Sequence, residues 1–124
     1  MSEQISGMAI FSRARKQEIA DGRQIKLDGE FAEIAGQVGL KYPVYLTVGV
    51  SHLIGQAVES KQFASVNDVL RYFLWSAYLS VDPEFLQPCN VTFSRQKHTL
   101  YLQVSATDSD DPTPALTIML ANET

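Results

Sequence analysis

The residues able to do chemistry near neutral pH are few: two histidines, His52 and His98, and a single cysteine, Cys89. A metal site or a Cys/His nucleophile pair needs such groups to converge, and neither histidine has a second histidine or a carboxylate at ligand spacing on its own element. His52, beside Leu53 and Ile54, is expected to be a half-buried helix residue, His98 to sit exposed in a turn, and Cys89 to be a buried small thiol. Asp108, Asp110 and Asp111 place oxygen ligands at alternate positions, but the central glycine and downstream glutamate of a calcium-binding loop are missing. That run reads as a solvated hairpin loop or, since Pro112 and Pro114 limit its freedom, as an acidic knob presented to a basic partner. No phosphate-cradling glycine loop, no Gly-x-Ser-x-Gly and no His-Glu-x-x-His occurs. Catalysis, a metal site and a bound cofactor are therefore not expected.

Two further sets have the composition of contact surfaces. Arg71, Tyr72 and Trp75 fall at i, i+1 and i+4 of the strongest helical segment, and these residue types carry much of the binding energy at protein interfaces. Arg13, Arg15 and Lys16, with Lys41, form a basic set that would serve the alternative of nucleic-acid binding.

Charge weighs against that alternative. Residues 1–61 balance seven basic against seven acidic side chains, whereas residues 62–124 hold three against seven, so the whole net charge of -4 lies in the second half. Affinity for nucleic acid rests on basic surface, which is scarce here.

The elements that must position these residues follow from periodicity. Ser12 is placed to cap a short helix over 13–20 that ends at Asp21-Gly22, and Gln24 to Asp28 alternates as a short strand with Ile25 and Leu27 on one face. Phe31, Ile34, Ala35 and Val38 recur at helical spacing and predict a helix over 29–38 stopped by Gly39. Val44 and Leu46 continue as a buried strand after Pro43. Thr47 is the expected cap of a helix over 48–59 carrying Val50, Leu53, Ile54 and Ala57 inward. Ser65-Val66-Asn67-Asp68 approximates a capping box ahead of an apolar stripe through Val66, Val69, Leu70, Phe73, Leu74 and Ala77. Its flanks, Tyr72, Trp75 and Leu79, are greasier than packing on one sheet face requires, so this helix is central or touches a partner.

Beyond Asp82-Pro83, with Pro88 closing a loop, the period becomes two. Strands are predicted around Val91–Phe93, Leu100–Val104 and Leu116–Leu120, with a turn at 95–98 and a loop at 108–114. Connections this short make an antiparallel meander. The fold class expected is α+β: three to four helices packed on one face of a small, mostly antiparallel sheet with a C-terminal three-stranded meander, in one domain over 8–124 after a flexible terminus at 1–7. The Leu- and Ile-rich strand at 114–121 would be an exposed edge that a homodimer could cover. With 124 residues, 45% of them hydrophobic and 19% charged, the chain can bury a core. No apolar run reaches the ~18 residues of a membrane span and the first thirty residues carry no secretion signal, so the cytoplasm is the expected compartment.

The run Phe11-Ser12-Arg13-Ala14-Arg15-Lys16-Gln17-Glu18-Ile19-Ala20-Asp21-Gly22, followed by Ala32-Glu33-Ile34-Ala35-Gly36 and Gly39-Leu40-Lys41-Tyr42-Pro43-Val44-Tyr45-Leu46-Thr47, resembles a small domain-of-unknown-function family. The close, Leu100 to Val104, the Asp/Pro segment and Leu116 to Leu120, is similar too, so the likeness spans most of 9–123. Glu18 stands where that family commonly has alanine, and Ala121-Asn122-Glu123 lacks a proline often seen there. The resemblance implies carriage by bacterial plasmids, phages and other mobile elements, and brings no catalytic residue. The expected function is a non-catalytic interaction protein of a mobile element, binding a host or element-encoded protein and inhibiting a host defence complex, through Arg71, Tyr72, Trp75, Asp108, Asp110 and Asp111. A nucleic-acid accessory factor is the alternative, and a small enzyme or metal-binding domain the second.

Overall fold

Alternation of extended and helical periods along the chain is realised as one mixed sheet with helices against it. The computed structural model describes residues 15–124; the Ser12 cap, Arg13 and the terminus at 1–7 lie outside them. Residues 15–20 are helical (α1), and the turn that follows, Gly22 at φ 76° with Arg23 N–H donating to Glu18 O at 2.7 Å, closes it as Asp21-Gly22 predicts. The order then runs β1 (Gln24–Lys26), α2 (Gly29–Val38), β2 (Val44–Thr47), α3 (Val48–Glu59), α4 (Val66–Ser80), β3 (Gln87–Phe93), β4 (Gln96–Asp108), β5 (Asp111–Met119) and a closing 3-10 turn, η1 (Ala121–Glu123).

The sheet has five strands in the order β1-β2-β5-β4-β3, antiparallel except where β2 lies parallel to β5. The expected α+β class and the C-terminal meander β3-β4-β5 are present. Register assigns the two faces. Val44, Leu46, Leu116, Ile118, Leu102 and Leu100 share the face covered by α2, α3 and α4, whose Ile34, Val50, Leu53, Val69, Phe73 and Leu74 complete the core. Tyr45, Thr117 and Gln24 point the other way, where α1 meets them through Arg15.

Three expectations about elements are corrected. The strand at 114–121 is not an edge, because β5 is flanked by β2 and β4; the edges are β1 and β3. The presumed loop at 108–114 is strand: β4 and β5 run on to a tight Ser109-Asp110 turn, with Asp108 opposite Asp111 and a bulge near Ala106. Likewise the β3–β4 turn is Ser94-Arg95, both at positive φ, rather than 95–98, and Pro88 lies inside β3. An edge strand tolerates that proline because its missing N–H would face outward.

The cap of α3 differs as well. Thr47 occupies the N-cap without capping; its hydroxyl donates to the Glu123 carboxylate, and so do the backbone N–H groups of Gly49 and Leu120, each at 2.9 Å. A carboxylate from η1 thus satisfies an orphan donor at the positive end of α3. Gly49 makes room for it: a Cβ there would lie 2.8 Å from Glu123 Oε2.

Candidate interaction face

On α4 the apolar stripe behaves as its spacing demands, with Val69, Leu70, Phe73, Leu74 and Ala77 buried, although Val66 at its start is exposed. Ser65 Oγ accepts from Asp68 N–H at 3.3 Å, one half of the predicted capping box. The flank then divides the trio Arg71, Tyr72 and Trp75. Tyr72 turns inward: its ring stacks on Phe63 and its hydroxyl accepts the Thr92 N–H on the β3 edge at 2.8 Å. Trp75 is 48% exposed, Tyr78 and Leu79 are exposed beside it at i+3 and i+4, and Phe85 and Leu86 follow in the next loop, also exposed.

The exposed Trp75 is nevertheless held in place. Gly39, the left-handed C-cap of α2 at φ 110°, lies against the Tyr78 ring so closely that a Cβ would sit 2.8 Å from it, and Trp75 stacks on Tyr78 with centroids 5.7 Å apart. Across from this stack Arg71 Nη1 donates to Gln37 Oε1 at 3.0 Å, bridging α4 to α2. Between them lies an open cleft of about 430 Å3, walled by Gln37, Val38, Asp68, Arg71, Tyr72 and Trp75. Trp75 thus carries large apolar area whose rotamer is already restricted before any partner arrives.

The acidic and basic candidates occupy the opposite face, and they meet each other. Arg15, only 2% exposed, donates to Thr107 O, to Gln24 Oε1 at 3.0 Å and to Thr117 Oγ1 at 3.0 Å, with its guanidinium carbon 4.2 Å from the Tyr45 ring centre. Burial pulls its pKa below the ordinary guanidinium value, and the Tyr45 and Asp108 charges oppose that. Lys16 Nζ pairs with Asp110 at 2.7 Å; this hydrogen bond raises the lysine pKa and lowers the aspartate's. Asp111 accepts from Thr113 N–H at 3.0 Å, which lowers its pKa too. Asp108 is 5% exposed and accepts from Ser109 N–H.

Asp108, Asp110 and Asp111 are therefore not a presented knob. The hairpin turns one carboxylate inward and ties the other two locally. Arg15 is equally unavailable to a phosphate backbone, Lys16 is paired, Arg13 lies outside the described residues, and Lys41 is exposed in the loop that leads into β2. The basic set does not gather among the described residues.

The reactive residues also separate. His52 is exposed rather than half-buried. His98 lies in β4 opposite Val91, not in a turn, and its half-buried ring stacks on Phe93 at 4.5 Å, with no hydrogen-bond partner for Nε2 among the described residues. Cys89 is buried opposite Leu100, and desolvation pushes its thiol up to about 11, where the nucleophilic thiolate is scarce at neutral pH.

Sequence reasoning missed Tyr78, Gln24, Thr117 and Glu123. Tyr78 sits at i+3 from Trp75 and that spacing was a usable signal; Gln24 meets Arg15 nine residues away across the α1–β1 turn, while Thr117 and Glu123 act across 102 and 76 residues. No family model matches this chain, nor does any curated protein or any solved structure.

Proposed function

We propose that this chain is a non-catalytic protein-interaction domain whose contact face is the outer surface of α4 with the α2–α4 cleft. One observation carries the reading: Trp75 is exposed yet fixed by the Gly39–Tyr78–Trp75 stack. Large aromatic side chains held in their bound rotamers are what interface hot spots are made of, because little ordering entropy remains to be lost.

The partner that fits is an amphipathic helix. Trp75, Tyr78 and Leu79 form a row at helical spacing beside a cleft between two helices, the geometry into which a partner's i, i+4 side chains insert. Asp68 lines the cleft, and Asp82 and Glu84 lie in the loop beyond α4, so basic residues flanking the partner's apolar stripe suit this rim. The likeness to a family of mobile elements supports placing that helix on a host or element-encoded protein, with inhibition of a host defence complex as the biological role. No helix among the described residues is long and apolar enough to cross a membrane.

The test is affinity capture from the natural host with the intact chain and with Trp75→Ala, read by mass spectrometry and followed by binding of the purified candidate. A protein retained by the parent and lost by the variant, with the thermal transition of the variant unchanged, supports this reading. A partner retained equally by both overturns it.

A further inference from the structure

The two edges of the sheet are treated differently by the sequence. On β3 the outward Thr92 N–H is taken by the Tyr72 hydroxyl, Pro88 has no N–H to offer, and in the turn just beyond the strand Ser94 N–H is taken by Gln62 Oε1. Such devices keep an edge from pairing with another chain. β1 is guarded only by its length of three residues and by the exposed Lys26; among the described residues no proline and no side-chain acceptor occupies its outward groups. Leu27 N–H donates to Val44 O and Val48 N–H to Arg23 O, so the alternation of an antiparallel ladder turns the backbone groups of Ile25 toward β2 and those of Gln24 and Lys26 outward. No backbone hydrogen bond from the described residues reaches those outward groups. Ile25, meanwhile, is 45% exposed above an apolar cleft of about 300 Å3 whose walls include Leu27, Phe31, Ile54, Val66 and Leu70.

We propose that β1 is the dimerisation edge of this protein, pairing antiparallel with β1 of a second copy about a two-fold axis at Ile25. The register follows from the outward groups. Gln24 of one copy and Lys26 of the other become a reciprocally hydrogen-bonded pair, and the same pair recurs on the other side of the axis. Ile25 meets its own counterpart at the closely spaced, non-hydrogen-bonded position, where apolar side chains pack best. The two clefts then form one continuous apolar surface, to which the exposed Val66 of each copy contributes.

Charge favours this orientation within the strand itself: antiparallel pairing sets each exposed Lys26 opposite the uncharged Gln24 of the second copy, whereas parallel in-register pairing would align Lys26 with Lys26. An isologous contact of this kind closes on itself and joins two sheets into one.

The experiment is sedimentation velocity with the full chain across a concentration series. A mass rising from 13.8 kDa toward twice that value is expected. Lys26→Pro deletes an outward donor without touching the β1–β2 ladder and should leave a monomer with an unchanged thermal transition. Ile25→Lys, which places like charges across the axis, gives a second disruption should the proline variant fail to fold. A monomer at every concentration overturns the proposal. So does a dimer that withstands both Lys26→Pro and Ile25→Lys, or one dispersed only by Trp75→Ala, which would place self-association on α4.

Discussion

The aromatic surface of α4 and the acidic hairpin β4–β5 look alike as candidate contact surfaces when only residue types are considered, yet the folded chain treats them in opposite ways. The hairpin's charges are answered from within: Lys16 takes Asp110, Thr113 N–H takes Asp111, and Asp108 is buried near Arg15. On α4 the internal contacts of Trp75 fix its ring without covering it. A contact surface is thus defined less by which residues it contains than by what the rest of the chain leaves unanswered. Desolvating an already paired charge returns little free energy, whereas covering exposed aromatic area returns about 25 cal/mol per Å2.

The largest effect expected from this contrast is at Arg15. Replacing it with alanine leaves Gln24 Oε1, the Thr117 hydroxyl and Thr107 O without their donor on a largely buried face. At ~1–3 kcal/mol for each orphaned group, tempered by relaxation, a loss of about 3–5 kcal/mol is expected from urea unfolding. If Arg15→Ala lost under ~1 kcal/mol, the hairpin side would be a surface like any other and the contrast would fail. Trp75→Ala should do the reverse. Its stability cost should stay near 1 kcal/mol or below, as for exposed positions, while affinity for the partner falls by ~2 kcal/mol or more, about thirtyfold. A calorimetric scan of the variant beside its binding isotherm separates the two quantities, and a large stability loss would return Trp75 to the core.

Much of this was legible beforehand. α2, α3 and α4 lie where the i, i+3, i+4, i+7 rows put them, since burial of one stripe dominates helix placement whatever the tertiary partners. The turns were harder: Ser94-Arg95 adopts positive φ at both positions without the Asn-Gly signal that normally announces it, and Asp108 to Pro114 carries turn composition inside paired strands. The candidate surface was half legible. Trp75 stood out by type, but its exposure depends on where Gly39 and Tyr78 meet, and Tyr72 was sent inward by a β3 edge that periodicity does not locate. Nothing local distinguishes Thr47 as a cap from Thr47 as a donor to Glu123, 76 residues away.

Glu123 sharpens the comparison at intermediate size, as a charge wholly absorbed by its own chain. Glu123→Ala removes the acceptor for Gly49 N–H, Leu120 N–H and the Thr47 hydroxyl, and a loss of about 1–2 kcal/mol is expected, typical of an N-cap. Gly49→Ala supplies a control with opposing terms. Alanine gains up to ~1 kcal/mol of helix propensity but displaces the carboxylate it would touch. In the Glu123→Ala background the carboxylate contact is gone and only the Leu120 side chain, whose Cδ1 would lie 2.7 Å from the new Cβ, still has to give, so Gly49→Ala should be more favourable there than in the parent. Equal effects of Gly49→Ala in both backgrounds, read from thermal melts, would mean that Glu123 does not cap α3.

The smallest effect belongs to the exposed pair. The carboxyl of Asp110 is held below its usual range by the Lys16 hydrogen bond, so the pair's contribution is fully present above the ordinary aspartate pKa and fades as pH falls through the lowered one. For Lys16, whose pKa is raised by the same bond, the contribution is present below the ordinary lysine pKa and fades as pH climbs through the raised one. Both side chains are largely in solvent, and salt and side-chain entropy reduce such pairs to little. Asp110→Asn should therefore lower the melting temperature only slightly at neutral pH and not at all once the acid limb is passed, and added salt should shrink the difference. Partner binding through α4 should not register it. A variant that bound markedly more weakly while melting like the parent would show that this carboxylate is still offered outward, and the hairpin would rejoin α4 as a contact surface.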